Sequence, residues 1–133
     1  MSEPDPKHRL TLIRCLHSFG PAIAGLRDLV ATQPNARVHA GFAVAAVGMG
    51  FWLKIPPVEW AAVLLCIGLV FMAEALNTAL ELLADAVHPA RHPLVGRAKN
   101  CAAGAVLVCA LASSVIGAIL FGPRLWALLQ SWI

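Results

Sequence analysis

Trp60-Ala-Ala-Val-Leu-Leu-Cys-Ile-Gly-Leu-Val-Phe-Met-Ala73 carries no charge, and it passes directly into Glu74-Ala-Leu-Asn77-Thr78-Ala-Leu-Glu81-Leu-Leu-Ala-Asp85. At about 100° per residue, Glu74, Asn77, Thr78, Glu81 and Asp85 fall in one stripe about 100° wide on a helix. Taken from Val58 to Val87, the segment is long enough to cross a hydrocarbon core of about 30 Å, as a membrane-type helix. Carboxylates that continue such a helix are costly and mark a functional site by default. The chemistry of this chain is therefore expected at a lipid–water boundary.

Composition agrees. The 133 residues make one domain, 1–133, with 59% hydrophobic and only 13% charged residues and a mean hydropathy of +0.76. A soluble surface needs roughly 25% charged residues, so the class is all-α integral membrane protein. The net charge is +3, without the clustered basic face of a nucleic-acid binder, so no nucleic acid is expected. Cys15, Cys66, Cys101 and Cys109 show no CxxC pairing or zinc spacing with the histidines, and they read as small core-filling residues. No secretory leader is expected, since residues 1–9 are polar and 10–31 are broken by Arg14, His17, Arg27 and Asp28.

Three spans are expected, at about 38–54, 58–87 and 100–121. Pro56-Pro57 opens the second, His88-Pro89 ends it, and Gly122-Pro123 closes the third, leaving 122–133 as an interfacial segment. Gly104, Ala105, Ser113, Ser114 and Gly117 give the third span a small-residue face. Before the first span, apolar residues at 12, 13, 16, 19, 23, 26, 29 and 30 predict an amphipathic surface helix over about 8–31, kinked at Pro21.

Lysines and arginines set the orientation. Lys7, Arg9, Arg14, Arg27 and Arg37 precede the first span, and Arg91, Arg97 and Lys99 lie between the second and third. Lys54 and Arg124 alone mark the opposite side, where Trp52, Trp60, Trp126 and Trp132 also gather. A multi-pass inner-membrane protein with cytoplasmic N-terminus and external C-terminus is expected. Glu74 then lies about 24 Å along the second span from Val58, just inside the cytoplasmic leaflet, and Glu81 and Asp85 about 35–40 Å along, among the headgroups. One carboxylate meets a lipid hydroxyl and the other a water-soluble cosubstrate. Asp85 reads equally as part of the stripe or as a solvated helix-end charge. His88 reads as a helix cap, Glu59 as an N-terminal helix charge.

Three blocks in order resemble the small prokaryotic diacylglycerol kinase family, which includes the undecaprenol kinases. Ser18-Phe19, Gly25-Leu26, Asn35, Arg37 and His39 resemble its surface helix and elbow. Glu74-x-x-Asn77-x-x-x-Glu81-x-x-x-Asp85 is similar to its core motif. His92-Pro93-Leu94, Arg97-Ala98-Lys99 and Ala102 to Leu107 are similar to its third segment. The resemblance implies three transmembrane helices and a surface helix per subunit, a homotrimer, and transfer of the γ-phosphoryl of MgATP to a lipid alcohol, diacylglycerol or undecaprenol. It implies Glu74 as general base, supported by Asn77, and Glu81 as the Mg²⁺ ligand. Lys99 would neutralise phosphate, with Arg14, His92 and Asn100 near the nucleotide and Arg14, Ser18 and Arg37 near the lipid. Active sites shared between subunits follow if the elbow around Gln33 meets Glu81 and Lys99 of a neighbour.

Two carboxylates of the family pattern are amides here. Gln33 stands at the second metal-binding glutamate and Asn100 at the nucleotide-contacting aspartate, while Ala36 replaces a phenylalanine. An amide is a poorer Mg²⁺ ligand than a carboxylate, though asparagine keeps an acceptor and gains donors. A non-catalytic lipid- or nucleotide-binding relative, or a lipid-phosphate phosphatase or transferase, stays open as the alternative.

Overall fold

The computed structural model describes residues 6–131, with side chains from residue 19 onward. The side chains of Arg14, Cys15, His17 and Ser18, and all of Trp132, lie outside the described residues. The chain is all helix: α1 (Pro6–Thr32), α2 (Pro34–Trp52), α3 (Pro57–Val87) and α4 (Pro93–Gln130). Proline opens the last three, each behind an extended residue, Gln33, Pro56 or His92. That is where a missing N–H costs nothing and a fixed φ pre-forms the first turn.

Two helices, α3 and α4, are long and apolar enough to cross a bilayer, and the chain is a membrane protein. α2, expected as a further span, has 19 residues and falls short of that hydropathy because it is rich in Gly and Ala and carries Arg37 and His39. Both ends of the last helix differ from expectation. It begins at Pro93 instead of about 100, and Gly122-Pro123 does not close it, since α4 runs on to Gln130 with Pro123 inside it. The missing Pro123 N–H leaves the Ile119 carbonyl without its helical donor, while in the next turn position Arg124 Nη1 donates to the Leu120 carbonyl at 2.7 Å. Pro21 likewise sits inside a continuous α1.

α3 packs lengthwise on α4, α2 lies along α3, and α1 touches α2 and α3. The α2–α3 turn is tight. Lys54 adopts φ 52° and the Ile55 N–H returns to the Gly50 carbonyl at 3.1 Å. Ile55, Val63 and Phe121 form the apolar core beside this turn, flanked by Trp60 and Leu125. Elsewhere large apolar side chains such as Leu65, Val108 and Ile119 point outward. In water this would be untenable, but in a bilayer it is the lipid-facing surface.

Ion pairs fasten the two ends of the α3/α4 hairpin. Arg124 Nη2 donates to Glu59 Oε1 at 2.9 Å, and Lys99 donates to Asp85 Oδ1. Glu59 is thus more than a helix-start charge. From Glu59 to Asp85, and from Lys99 to Arg124, the helical rise is about 38 Å in each case. That nearly equals a bilayer with its headgroups, roughly 40 Å. Charges pair where water is available, and between them only Glu74 and Glu81 are ionisable acids.

Candidate active site at the C-terminal end of α3

The buried face of α3 is a single line: Val63, Val70, Ala73, Glu74, Asn77, Thr78. Its helical spacing carries an apolar floor straight into a polar site. Glu74 is 2% exposed, and its Oε2 has no hydrogen-bond partner among the described residues. Asn77 is also buried, with its Oδ1 unpartnered among them. Leaving such an acceptor unsatisfied costs about 1–3 kcal/mol, so each is open to a further donor.

Asn77, which the resemblance implies as the support of Glu74, is bonded to Glu81 instead in this structure. Its Nδ2 donates to Glu81 Oε1 at 3.0 Å, one turn further on. The stagger of α3 explains it, since residues four apart stand above one another and the amide is the donor that can reach a carboxylate without a proton of its own. Asp85, another turn along, is exposed and paired with Lys99 from α4. Sequence reasoning left Asp85 undecided and did not foresee this bond. The signal was present: acids and bases of opposite sign stand at matching heights on two antiparallel apolar runs.

The remaining residues surround this line without joining it. His92 caps α4, its Nδ1 accepting the Leu94 N–H at 3.3 Å, which leaves Nε2 for another partner. His88 ends α3 as expected, its N–H returning to Ala84 O at 2.9 Å, and the two imidazoles lie 5.1 Å apart between centroids. Gln33 is the half-buried residue between α1 and α2, with no side-chain capping bond. Ala36, where a larger residue was expected, is completely buried. Arg37 and Asn100 are exposed. Among the described residues no hydrogen bond joins Arg37, His92 or Asn100 to the α3 line, and no group of three acids, histidines or cysteines is poised around a metal.

An apolar groove of about 490 Å³ leads along the same face. Its floor is α3 from Val63 to Phe71, and its walls are α2 from His39 to Met49 and α4 from Ala110 to Leu125. Val70 is both part of that floor and one turn from Glu74. A carboxylate with a free acceptor at the end of an apolar groove can take the proton of an amphiphile's hydroxyl.

Comparison with known proteins bears on this geometry. Residues 20–121 match the family model for prokaryotic diacylglycerol kinase. The undecaprenol kinase of Bacillus subtilis strain 168 is 40% identical over 118 residues, covering 89% of this chain and 96% of that protein. A diacylglycerol kinase of Synechocystis is also 40% identical over 115 residues, 86% of this chain and 66% of its own length. The diacylglycerol kinase of Escherichia coli K12 is 27% identical over 107 residues, 80% of this chain and 88% of the relative.

Proposed function

The chain belongs to the prokaryotic diacylglycerol kinase family, and on that premise we propose that it transfers the γ-phosphoryl group of MgATP to the hydroxyl of a membrane lipid alcohol. The observation that carries this reading is Glu74, a buried carboxylate with an unpartnered oxygen at the end of an apolar groove. The lipid oxygen attacks the γ-phosphorus, its proton passes to Glu74, and the bond from the γ-phosphorus to the bridging oxygen breaks, releasing ADP. Phosphoryl transfer of this kind depends on positioning and on charge compensation more than on covalent help.

Glu81 holds Mg²⁺ in this reading. It is the one carboxylate on the line whose Oε1 is oriented by a neighbour, Asn77. A single carboxylate suits Mg²⁺ that arrives with ATP, because that ion takes most of its oxygens from phosphates and water. The metal's chemistry is to neutralise the charge shared between the β- and γ-phosphates. Gln33 offers it at most an amide oxygen. Lys99 compensates the phosphates, with His92, Asn100 and Arg14 around the nucleotide and Arg14, Ser18 and Arg37 at the lipid headgroup.

Diacylglycerol and undecaprenol are the candidate acceptors. The groove favours the polyprenol, because it continues past the bilayer middle to Leu125, close to the outer turn. A tail confined to one leaflet would not fill it. In this reading α2 is the third span, the membrane is the inner one, the N-terminus is cytoplasmic, the C-terminus is external, and the assembly is a homotrimer.

The test is direct. Purified protein in lipid is incubated with labelled ATP, Mg²⁺ and each alcohol separately, and phosphorylated lipid is measured. Undecaprenyl phosphate is the expected product. No phosphorylated lipid from either alcohol would reject the kinase and leave the non-catalytic relative that Gln33 and Asn100 motivate. Phosphate released from a lipid phosphate would instead support the hydrolase.

A further inference from the structure

We propose that Asp85 is a positioning residue for Lys99: it holds the Lys99 ammonium at the cytoplasmic end of α3, away from Glu81, and yields it to phosphate when MgATP arrives. This rests on the reading of Lys99 as the phosphate ligand.

Lys99 sits on the half-buried side of α4 and crosses to α3 to bond Asp85. Two α3 carboxylates compete for it, Asp85 and Glu81, which are one turn apart with Cβ atoms about 5–6 Å from each other. They differ in environment. Glu81 is half-buried and already accepts from Asn77, so an ammonium there would pay a desolvation cost that its attraction to the carboxylate does not repay. It would also occupy the place of the metal. The Asp85 side chain is 67% exposed, and ion pairs open to water are weak. A pair on Asp85 therefore sets a default position for Lys99 that the higher charge of a triphosphate displaces. Lysine suits such a handover, because it is a compact charge on a flexible stem with no fixed fork geometry.

The same arrangement fixes where Lys99 goes next. Its anchor lies one turn beyond Glu81 toward the cytoplasm, so the ammonium waits on the side from which a water-soluble nucleotide enters. When it leaves Asp85, the carboxylate returns to water at little cost. A direct Lys99–Glu81 pair would have to be broken inside the site before metal could bind.

The experiment uses the full chain in lipid nanodiscs. It measures calorimetric binding of a non-hydrolysable ATP analogue with Mg²⁺, together with steady-state kinetics in ATP and in Mg²⁺. Lys99→Met comes first, and an unchanged nucleotide Kd there would remove the premise and the inference with it. With that premise standing, Asp85→Asn removes a partner that Lys99 has only in the absence of nucleotide, so the nucleotide Kd is expected to fall, by up to about fivefold, the upper size of an exposed pair. Its kcat at saturating nucleotide and metal stays within about twofold. Asp85→Glu returns the Kd toward wild type, and Asp85→Asn combined with Lys99→Met binds as Lys99→Met does alone. A wild-type or raised Kd in Asp85→Asn would overturn the proposal. So would a Kd in the double variant that differs from that of Lys99→Met, or a fall in kcat alone with unchanged helix content by circular dichroism.

Discussion

At the scale of single residues, Glu74 and Glu81 lie about one and three helical turns beyond Val70 of the apolar floor, and their partners differ. Glu74 has an unpartnered oxygen, whereas Glu81 is tied to Asn77. Glu74→Gln removes the proton acceptor while keeping the shape, so kcat is expected to fall by about 10²-fold or more with nucleotide affinity nearly unchanged. Equilibrium binding beside a turnover assay checks it, and lost nucleotide affinity would reassign the residue. Gln33→Glu adds a charged oxygen at the elbow, and the half-saturating Mg²⁺ concentration should drop. An unchanged Mg²⁺ titration would place Gln33 outside the metal shell. The stripe itself was legible in the sequence, since helical spacing alone puts these residues on one face. The direction of the Asn77 bond was not, because an amide between two carboxylates at i−3 and i+4 can reach either, and only the rotamer decides.

At the scale of elements, Pro57 opens α3 as the Pro56-Pro57 pair implied, with both ends within a residue of 58–87, whereas α2 and α4 begin several residues before the expected 38 and 100, at Pro34 and Pro93. The end of α4 differs as well. Gly-Pro reads as a stop because the missing N–H leaves the carbonyl four residues back, here that of Ile119, without its donor. The helix continues to Gln130 all the same, and beside the proline Arg124 ties α4 to Glu59 on α3. That tie is tertiary, so no local pattern announces it. Glu59→Gln should therefore loosen the Glu59–Arg124 end of the hairpin by about 1 kcal/mol, the scale of a partly exposed pair. It is read as a lower midpoint in detergent-based unfolding with the lipid kinase assay unaffected at low temperature. The neighbouring turn is tighter still. A Cβ on Gly50 would lie 2.8 Å from the Trp60 ring and 3.2 Å from Ile55, so Gly50→Ala forces a rigid indole to shift. It should cost about 1–3 kcal/mol by overpacking. A wild-type unfolding midpoint would mean that the α2–α3 turn yields instead of the ring.

At the scale of the whole molecule, one chain exposes 10273 Å², whereas a compact soluble monomer of 14.1 kDa exposes about 6,700 Å². Lipid covers part of the excess, but lipid tails cannot satisfy polar groups, and the α3 line keeps two buried acceptors without donors. Nor does one chain bring its other candidate ligands to that line, since Arg37 and Asn100 are exposed and unbonded to it. Composition and charge made the membrane class legible, but association leaves no periodic mark when every face of a helix is apolar. The proposed homotrimer, with one chain's elbow and loop completing the α3 line of another, would cover part of this surface and bring in further partners. Light scattering with the detergent contribution subtracted should then give a mass of three chains, and a single-chain mass would remove the idea of a shared site. The sharper measurement mixes two inactive variants. Glu74→Gln chains and Lys99→Met chains, each silent alone, are co-solubilised, denatured to subunits and refolded together. If the α3 carboxylates and the α4 lysine of one site come from different chains, some mixed assemblies regain an intact site and phosphorylate lipid. If both come from the same chain, as the Lys99–Asp85 contact within one chain favours, the mixture stays silent. In that case a Glu74→Gln partner mixed with a variant at Arg37 becomes the pair that recovers activity, and silence in both mixtures would confine the whole site to one subunit.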